Sequence, residues 1–339
     1  MNKRLLIAVF AASVSLHAED ILVASSRSNS IEQFNSSGTW LRTFATTGPY
    51  APVALAQSPL TGDVFVTTIW GSGPSAGQLT NRILRYHSNG LFDVNWDTFT
   101  VECGSCPSAA TQSLLFDSSG NLWVATAYGK DLGVPIYILK RPAANLTLPN
   151  PGAYPLAQPP ITAPMYRGNQ MAFNTSGNIC IAGFIDQDVK CFDTSTGVQT
   201  ADYFAEIHAS GINPIIEPVG LAFDGANRLY LTSVFGGQLA RELKPGGPIV
   251  LLATLSSSPN QLDGNLVLRG GEMYTTSLFA ATPTPFSTPD PVYQISTSGT
   301  VTKFIYGTAP PALGSDHIWG AYWMIFHFDS PGPVLMPLL

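Results

Sequence analysis

The amino-acid sequence predicts an all-β chain folded as a six-bladed β-propeller that is closed by pairing of its N-terminal and C-terminal strands. Three observations lead to this prediction. A strand motif recurs six times at an even spacing, a tight hairpin precedes several of the copies, and the two ends of the chain are complementary parts of one repeat. Four-stranded repeats of about 50 residues are typical of propeller blades.

The recurring strand motif reads apolar-x-x-apolar and usually ends near a glycine. Its last positions are spaced by 51 to 53 residues, a period that is typical of propellers, solenoids and arrays. No helical periodicity separates the copies, which argues against parallel strands joined by helices. The six copies are residues 31–34, 83–86, 136–139, 189–192, 240–243 and 292–295.

The hairpin consists of an apolar strand, an Asp or Asn, two small residues, a Gly or Asn, and a second apolar strand. The Asp or Asn side chain is expected to cap the turn, and the Gly or Asn to take the conformation with positive φ. Clear copies span residues 114–124, 171–181 and 221–231, and weaker copies span residues 55–66 and 266–274.

The two chain ends are predicted to share one blade. Residues 20–25 match the second strand of a repeat, but the first strand is missing before them, whereas residues 326–332 match the first-strand pattern. We therefore expect an inner strand at residues 324–329 to pair with residues 20–25, which leaves no free sheet edge at the seam. A seventh, truncated blade is the alternative.

Composition indicates an exported, acidic, single-domain protein. Lys3 and Arg4 precede a short apolar run, so residues 1–18 are predicted to be a secretory signal peptide rather than a buried helix. Residues 19–339 then form one domain, which we expect to be an extracellular or periplasmic monomer. The formal net charge of −6 argues against nucleic acid as a partner. No later apolar run is long enough for a membrane span.

Four cysteines in an exported chain favour two disulfide bonds. Cys180 and Cys191 flank a segment whose midpoint is a polar turn, which places them opposite each other in an antiparallel hairpin. Cys103 and Cys106 are close enough in sequence to close a small loop. A thioredoxin-like redox motif would need a βαβ context, and a zinc site would need the two pairs to converge from different repeats.

The segment Pro-Val-Gly-Leu-Ala-Phe-Asp at residues 218–224, with Leu-Tyr-Leu at 229–231, resembles the blade signature of NHL-repeat propellers. It is also similar, more distantly, to the gluconolactonase-like (senescence-marker-protein) family. The resemblance covers residues 20 to about 329 and implies the propeller fold. Because propellers host many unrelated activities, the resemblance says little about function.

The gluconolactonase-like resemblance also implies a metal site. Enzymes of that family hold one divalent cation at the central channel through a Glu, an Asn and an Asp, and a hard cation such as Ca²⁺ prefers these oxygen ligands. In the repeat between them Glu217 lies at the entry to the inner strand, although the equivalent residue there is Val219, and Asn169 and Asp263 are similar to the family's Asn and Asp positions. Their spacing of two repeats departs from the family, and its N-terminal Glu motif is absent. The alternative is that these residues, with Gln170 beside Asn169, cap turns and line a hydrated channel.

Asp316 and His317 follow at the same point of a later repeat, and His317 is the histidine best placed to act as a catalytic acid or base. Two proline-rich stretches, residues 142–164 and 283–291, are predicted to be surface excursions rather than strands, because proline removes a ladder donor. Inserted loops of this kind often form binding surfaces.

Two functions are compatible with these features. The first is a secreted scaffold that binds a protein, a glycan or a small ligand through its loop face or central channel. The second is a metal-dependent hydrolase of the lactonase type, or a lyase, acting in the channel. The first is preferred, while the ligand and the presence of enzymatic activity stay open.

Overall fold

A computed structural model shows six antiparallel four-stranded sheets arranged as a β-propeller, as predicted. In every sheet the strands are hydrogen-bonded in chain order, with one exception, because the last strand of the chain joins the first sheet. The structure describes residues 19–26, 28–71, 79–98, 111–130, 133–148, 158–183, 185–212, 217–233, 237–255, 263–277, 292–305 and 321–328.

The blades are numbered along the chain, and the strands of each blade are named from the innermost to the outermost. Blade 1 holds β24 (Ala321–His327), β1 (Asp20–Ser25), β2 (Ser30–Phe34) and β3 (Trp40–Thr46). Blade 2 holds β4 (Tyr50–Gln57), β5 (Val64–Gly71), β6 (Leu79–Tyr86) and β7 (Phe92–Thr98). Blade 3 holds β8 (Thr111–Phe116), β9 (Leu122–Thr126), β10 (Ile136–Arg141) and β11 (Ile161–Ala163).

The second half of the ring has the same order. Blade 4 holds β12 (Met171–Phe173), β13 (Ile179–Gly183), β14 (Asp188–Phe192) and β15 (Gln199–Asp202). Blade 5 holds β16 (Pro218–Phe223), β17 (Leu229–Ser233), β18 (Gln238–Glu242) and β19 (Ile249–Thr254). Blade 6 holds β20 (Asp263–Arg269), β21 (Glu272–Ser277), β22 (Val292–Ile295) and β23 (Val301–Ile305).

The innermost strands form a closed ring around the centre of the molecule. Each contacts the innermost strand of the next blade, and the ring runs through β24, β4, β8, β12, β16 and β20 before it returns to β24. The six copies of the strand motif lie at the third strand of each blade. The even spacing of that motif therefore equals the number of residues in one blade with its connections.

The predicted seam is confirmed, with a shift along the C-terminal strand. β24 pairs with β1 from Asp20 opposite His327 to Ser25 opposite Ala321. The strand thus begins three residues earlier and ends two residues earlier than the sequence pattern indicated. In this register Met324 packs with Ile21 and Val23 in one apolar cluster, which explains why this alignment is preferred.

The hydrophobic core lies between the blades, because each sheet covers the next. Strands buried on both faces read as continuous apolar runs, and residues 21–24 of β1 are fully buried. Between blades 3 and 4, Trp123 and Ile138 pack with Met171 and Ile181. Apolar side chains on both faces of a sheet therefore contribute to the core.

One end of the propeller carries the tight hairpins that the sequence predicted. Asp117 Oδ1 accepts hydrogen bonds from the backbone N–H groups of Ser119 and Asn121, at 3.0 and 2.9 Å. Asn174 and Asp224 cap the corresponding turns of blades 4 and 5 in the same way. The expected capping role of these side chains is confirmed.

The proline-rich stretch at residues 142–164 is not entirely a surface excursion. Ile161–Ala163 forms β11, the outermost strand of blade 3, and pairs with β10. Ile161 and Ala163 are buried in the cluster between blades 3 and 4. The prediction was wrong for this segment because its alternating sequence, Ile-Thr-Ala, is too short to stand out among the surrounding prolines.

The Cys180–Cys191 disulfide bond is confirmed. The two cysteines are directly opposite each other in β13 and β14, and their Cα atoms lie 3.9 Å apart. Both are fully buried in the cluster that joins blades 4 and 5. Cys103 and Cys106 lie outside the described residues, as does the predicted signal peptide.

Regular helix is sparse in the part of the chain that the structure describes. It consists of α1 (Phe204–Ala209), which packs beside β14 and β19, and a 3₁₀ turn at Ala143–Asn145. None of these described helical segments has the length and apolar character needed to cross a membrane.

Candidate functional site

Successive strands of a blade run in opposite directions, so the connection between its second and third strands lies where its innermost strand begins. We call this end of the propeller the loop face, and the opposite end, with the capped hairpins, the turn face. Asn169 lies two residues before β12, Glu217 directly precedes β16, and Asp263 begins β20. The three predicted metal ligands therefore come from consecutive blades at one face. Asp316 and His317 lie outside the described residues.

Asn169 is buried and held by its neighbours. Its backbone N–H donates to Ala182 O at 2.7 Å, and its Oδ1 accepts a 2.7 Å hydrogen bond from Gln112 Nε2 of blade 3. An amide held on both sides has a defined orientation at the blade boundary. The pairing thus gives Asn169 a structural function across blades 3 and 4, whether or not it also meets a ligand.

Gln170 ties three blades together from a single side chain. Its Oε1 accepts hydrogen bonds from the backbone N–H groups of Leu221 in blade 5 and Leu266 in blade 6, at 3.0 and 2.7 Å. Its Nε2 donates to Leu266 O at 2.8 Å. These backbone groups are buried, and buried N–H and C=O groups need partners. The side chain therefore completes the hydrogen bonding of two inner strands besides its own.

Gly220 makes the reach of Gln170 possible. A Cβ at this position would lie 2.8 Å from Gly264 O and 2.9 Å from Leu266 N, closer than such contacts allow. The inner strands β16 and β20 thus approach each other without an intervening side chain. Leu266 is thereby brought within range of an amide two blades away.

Hydrogen bonds from a side chain to the backbone of a neighbouring blade also occur at two other blade boundaries. Ser113 Oγ of blade 3 accepts a hydrogen bond from Met171 N of blade 4 at 3.0 Å. Asn265 of blade 6 donates to Met324 O at 2.8 Å and accepts from Met324 N at 2.9 Å, which anchors the closing strand of blade 1. The polar side chains near the start of the inner strands are thus largely engaged in holding the ring closed.

Glu217 differs from these residues because it is half-buried at the loop face. Burial raises the pKa of its carboxyl group, and a hydrogen bond from Gln187 Nε2, at 3.4 Å, partly offsets that effect. Gln187 has a φ of +54°, a conformation that is uncommon for residues other than glycine and that often marks functional sites. A carboxyl group in such a setting is a candidate acid or base.

The described side chains do not include a group of three or more His, Cys, Asp or Glu residues that could hold a metal ion. Asp263 is described through its backbone, which is paired with Ser277. The cation site implied by Asn169, Glu217 and Asp263 thus stays a prediction, as do the roles of Asp316 and His317.

A second feature of the loop face was not predicted from the sequence. The loop after β9 in blade 3 and the loop before β12 in blade 4 lie side by side and are joined by backbone hydrogen bonds. Gly129 N donates to Tyr166 O at 2.8 Å, Lys130 N to Met165 O at 3.0 Å, and Gly168 N to Ala127 O at 3.0 Å. A Cβ at Gly129 would lie 2.2 Å from Met165 O, so the close approach requires glycine.

These two loops form a hydrogen-bonded frame between blades 3 and 4, which places two cationic side chains over two aromatic rings. Lys130 Nζ lies 5.1 Å from the centre of the Tyr166 ring, and Arg167 Cζ lies 5.1 Å from the centre of the Tyr128 ring. Lys130 is exposed, and Tyr166 is 43% exposed. Cation–π contacts of this kind hold the charged groups against the two rings. We call these four residues the cation–aromatic surface.

Asp186 fixes the surface from the neighbouring loop of blade 4. Its Oδ1 and Oδ2 accept hydrogen bonds from Tyr166 N at 3.1 and 2.8 Å, and Oδ2 also accepts one from Arg167 N at 3.3 Å. The signal in the sequence was the pair of segments Tyr-Gly-Lys and Tyr-Arg-Gly, at residues 128–130 and 166–168. Their relation becomes visible once the two loops are known to meet.

Similarity to known proteins supports the fold of this chain but does not identify its family or its function. Neither a family model nor a curated protein matches the chain. Among solved structures, a protein of unknown function from Bacteroides caccae is 13% identical with a TM-score of 0.59, covering 85% of this chain and 94% of that one. The likeness is one of fold.

Two further solved structures have a similar fold. A streptogramin B lyase is 13% identical with a TM-score of 0.55, covering 92% of this chain and 87% of its own. A chain of a nidogen/laminin complex is 11% identical with a TM-score of 0.58, covering 92% of this chain and 99% of its own. The fold is thus shared by a lyase and a member of a protein complex. The propeller part of the predicted resemblance is confirmed, and the gluconolactonase-like part stays a prediction.

Proposed function

We propose that this protein is a binding scaffold that engages its ligand or partner through the loop face. The cation–aromatic surface is the observation that supports this function best. Tyr and Arg are enriched at binding sites because they combine large contact area with polar groups. Here the frame between blades 3 and 4 holds both in place before any ligand arrives, and preorganisation lowers the entropic cost of binding.

The inner ring supports the same assignment. Gln170, Ser113 and Asn265 satisfy backbone groups of neighbouring blades, so their polar atoms are engaged in the fold. The exposed groups of the loop face are correspondingly better placed for recognition than those at the starts of the inner strands.

The scaffold is proposed to act outside the cytoplasm after removal of residues 1–18. A structural disulfide such as Cys180–Cys191 persists mainly in oxidising compartments. The acidic composition of the chain is compatible with that location and with a protein, glycan or small ligand as partner.

Binding through the loop face is tested with arrays of peptides and glycans probed with the purified protein. We expect the variant Lys130→Ala/Tyr166→Ala to lose most of the wild-type signals, about tenfold or more in affinity for the strongest, because both exposed members of the surface are removed. The matched control is Phe92→Ala/Lys244→Ala, which removes an exposed aromatic and a lysine on the turn face. Equal loss in both variants would contradict the proposal.

Catalysis in the channel by a metal-dependent hydrolase or lyase is the second candidate function. The position of Glu217 at the loop face is the observation that favours it. Its carboxyl group is half-buried at the loop face and could supply one oxygen ligand to a divalent cation. Together with Glu217, Asn169 and Asp263 would supply the oxygen ligands for a divalent cation such as Ca²⁺.

Metal analysis separates the two functions. For a scaffold, we expect purified protein to retain less than about 0.1 equivalent of Ca²⁺, Zn²⁺ or Mn²⁺, and chelator to leave its melting temperature unchanged. A stoichiometric cation that chelator removes, that Asp263→Ala abolishes and that Glu272→Gln on the turn face retains would instead favour the enzyme.

A further inference from the structure

We propose that Asp188, Lys190 and Asp202 form a proton-responsive clasp, which holds the loop-face turn of blade 4 more firmly at mildly acidic pH than at neutral pH. The turn is residues 185–187, between β13 and β14. A clasp of this kind acts on the folded protein without any ligand, so it is a property beyond the scaffold function.

The clasp places two carboxyl groups on one ammonium group. Lys190 Nζ lies 2.5 Å from Asp188 Oδ2 and 2.5 Å from Asp202 Oδ2. The side chain of Asp188 is 3% exposed, whereas that of Asp202 is 41% exposed. When both carboxyls are ionised, one negative charge is left unbalanced, and its cost falls on the buried Asp188.

Asp188 has a second carboxylate oxygen that its neighbours do not satisfy. Among the described residues, its Oδ1 is buried and accepts no hydrogen bond. A buried acceptor without a donor is costly, and the cost is larger for a charged group. Binding of one proton neutralises Asp188 and gives it a donor for the Asp202 carboxyl, which lies within hydrogen-bond range. The clasp then holds one positive and one negative charge.

The clasp faces blade 3. Asp188 and Lys190 alternate along β14 with two residues that pack between blades 4 and 5, so their side chains lie on the opposite side of the sheet. Met165 packs against Gly183, the residue opposite Asp188. The outer strands of blade 3 contribute apolar residues on this side, namely Ile136, Ile138, Ile161 and Ala163.

Other titratable or charged groups lie on the elements around the clasp. Asp186 accepts hydrogen bonds from backbone N–H groups, and two cations lie over tyrosine rings. The charges with the largest effect on Asp188 are those of Lys190 and Asp202. The surrounding groups are Asp186 in the turn, Lys130 and Arg167 in the frame, Glu217 in blade 5, and Glu206 and His208 in α1.

The pKa directions agree with this geometry. Burial raises the pKa of Asp188 above its ordinary value of 3.8, Lys190 partly offsets that effect, and Asp202 adds to it. Burial also acts to raise the pKa of Asp202, but hydrogen bonds from Lys190 and from Phe204 N outweigh it and lower that pKa.

The sign of the pH effect follows from these directions. A raised pKa in the folded state gives Asp188 a stabilising contribution that is complete below 3.8 and is lost as pH rises through the raised pKa. The contribution of Asp202 is present above 3.8 and is lost as pH falls through its lowered pKa. Acidification from neutral pH to about pH 5 therefore tightens the clasp.

The clasp is continuous with groups that shape the loop face. Asp188 begins β14 directly after Gln187, which donates to Glu217, and Asp186, which fixes the backbone of residues 166–167. Asp202 joins the clasp to the start of α1, because its Oδ1 accepts a 3.1 Å hydrogen bond from Phe204 N. Relief of the buried charge is expected to restrain the turn and this backbone.

Differential scanning calorimetry at about pH 7.5 and about pH 5 tests the clasp. On acidification, the melting temperature of the wild type is expected to rise by about 2 °C or more relative to that of Asp188→Asn. This variant keeps the shape of the side chain but binds no proton, and Lys190 retains Asp202 as its partner. Glu272→Gln removes a carboxylate on the turn face and is expected to keep the wild-type pH dependence.

Hydrogen–deuterium exchange shows whether the clasp acts on the loop face. After correction for the intrinsic effect of pH, the backbone N–H groups of Tyr166 and Arg167 are expected to be about threefold more protected at the acidic pH in the wild type. In Asp188→Asn their protection is expected to be the same at both pH values.

Equal pH dependence of melting in the wild type and Asp188→Asn overturns the clasp. A pH effect on melting without one on exchange at residues 166–167 overturns its action on the loop face. If Asp188→Asn does not fold, NMR titration of the Asp188 carboxyl carbon in the wild type decides, because a midpoint at or below 3.8 overturns the proposal. Each measurement is made without ligand, so failure of the clasp leaves the scaffold function intact.

Discussion

Replacing Gln170 by leucine is expected to lower the free energy of unfolding by about 3–9 kcal/mol. The substitution keeps a side chain of similar size but removes the acceptor for Leu221 N and Leu266 N and the donor to Leu266 O. Each buried backbone group left without a partner costs about 1–3 kcal/mol. Since whole domains are stable by only about 5–15 kcal/mol, the variant is expected to be near the limit of folding.

Urea unfolding followed by tryptophan fluorescence measures this effect. Gln199→Leu is the matched control, because Gln199 is exposed at the outermost strand of blade 4. It is expected to change the stability by less than about 0.5 kcal/mol. A Gln170→Leu protein as stable as this control would show that the inner strands do not depend on the three hydrogen bonds.

Deleting residues 323–339 is expected to abolish the cooperative thermal transition or lower the melting temperature by more than about 10 °C. The deletion removes most of β24, which pairs with β1 and so closes the ring. Loss of Met324 also leaves Asn265 without its two backbone partners, and the apolar groups of Ile21 and Val23 lose their cover. An opened ring exposes a sheet edge along its whole seam.

The control for this truncation lacks only residues 337–339. Differential scanning calorimetry of both proteins beside the chain starting at residue 19 gives the comparison. A truncated protein that melts with the same temperature and enthalpy as the control would mean that β24 is an appendage. The same result would remove the reason for placing the chain ends in one blade.

Features with short-range or periodic causes were predicted from the sequence. The turn capped by Asp117 depends on hydrogen bonds within four residues. Cys180 and Cys191 are 11 residues apart around one hairpin, so their pairing follows from strand alternation. The number of blades followed from the 51- to 53-residue spacing of the third strand.

The candidate site was predicted less completely. Asn169, Glu217 and Asp263 were correctly placed at the starts of inner strands in three blades, since that point can be read off each repeat. From the sequence, Asn169 and Gln170 were interpreted together as groups that could line the channel. In the structure Gln170 holds backbone groups that are 51 and 96 residues away.

The sequence by itself thus determined the blade count, the turns, the hairpin disulfide and the closure of the ring, because each depends on local conformation or on the period of the chain. Only the tertiary structure decided which polar side chains the fold uses to join neighbouring blades. Gln170 reaches Leu266 because Gly220 lets two inner strands approach, and Tyr128 meets Arg167 because loops of neighbouring blades lie side by side. Such contacts depend on the packing between blades, which cannot be read from the repeat pattern of the sequence.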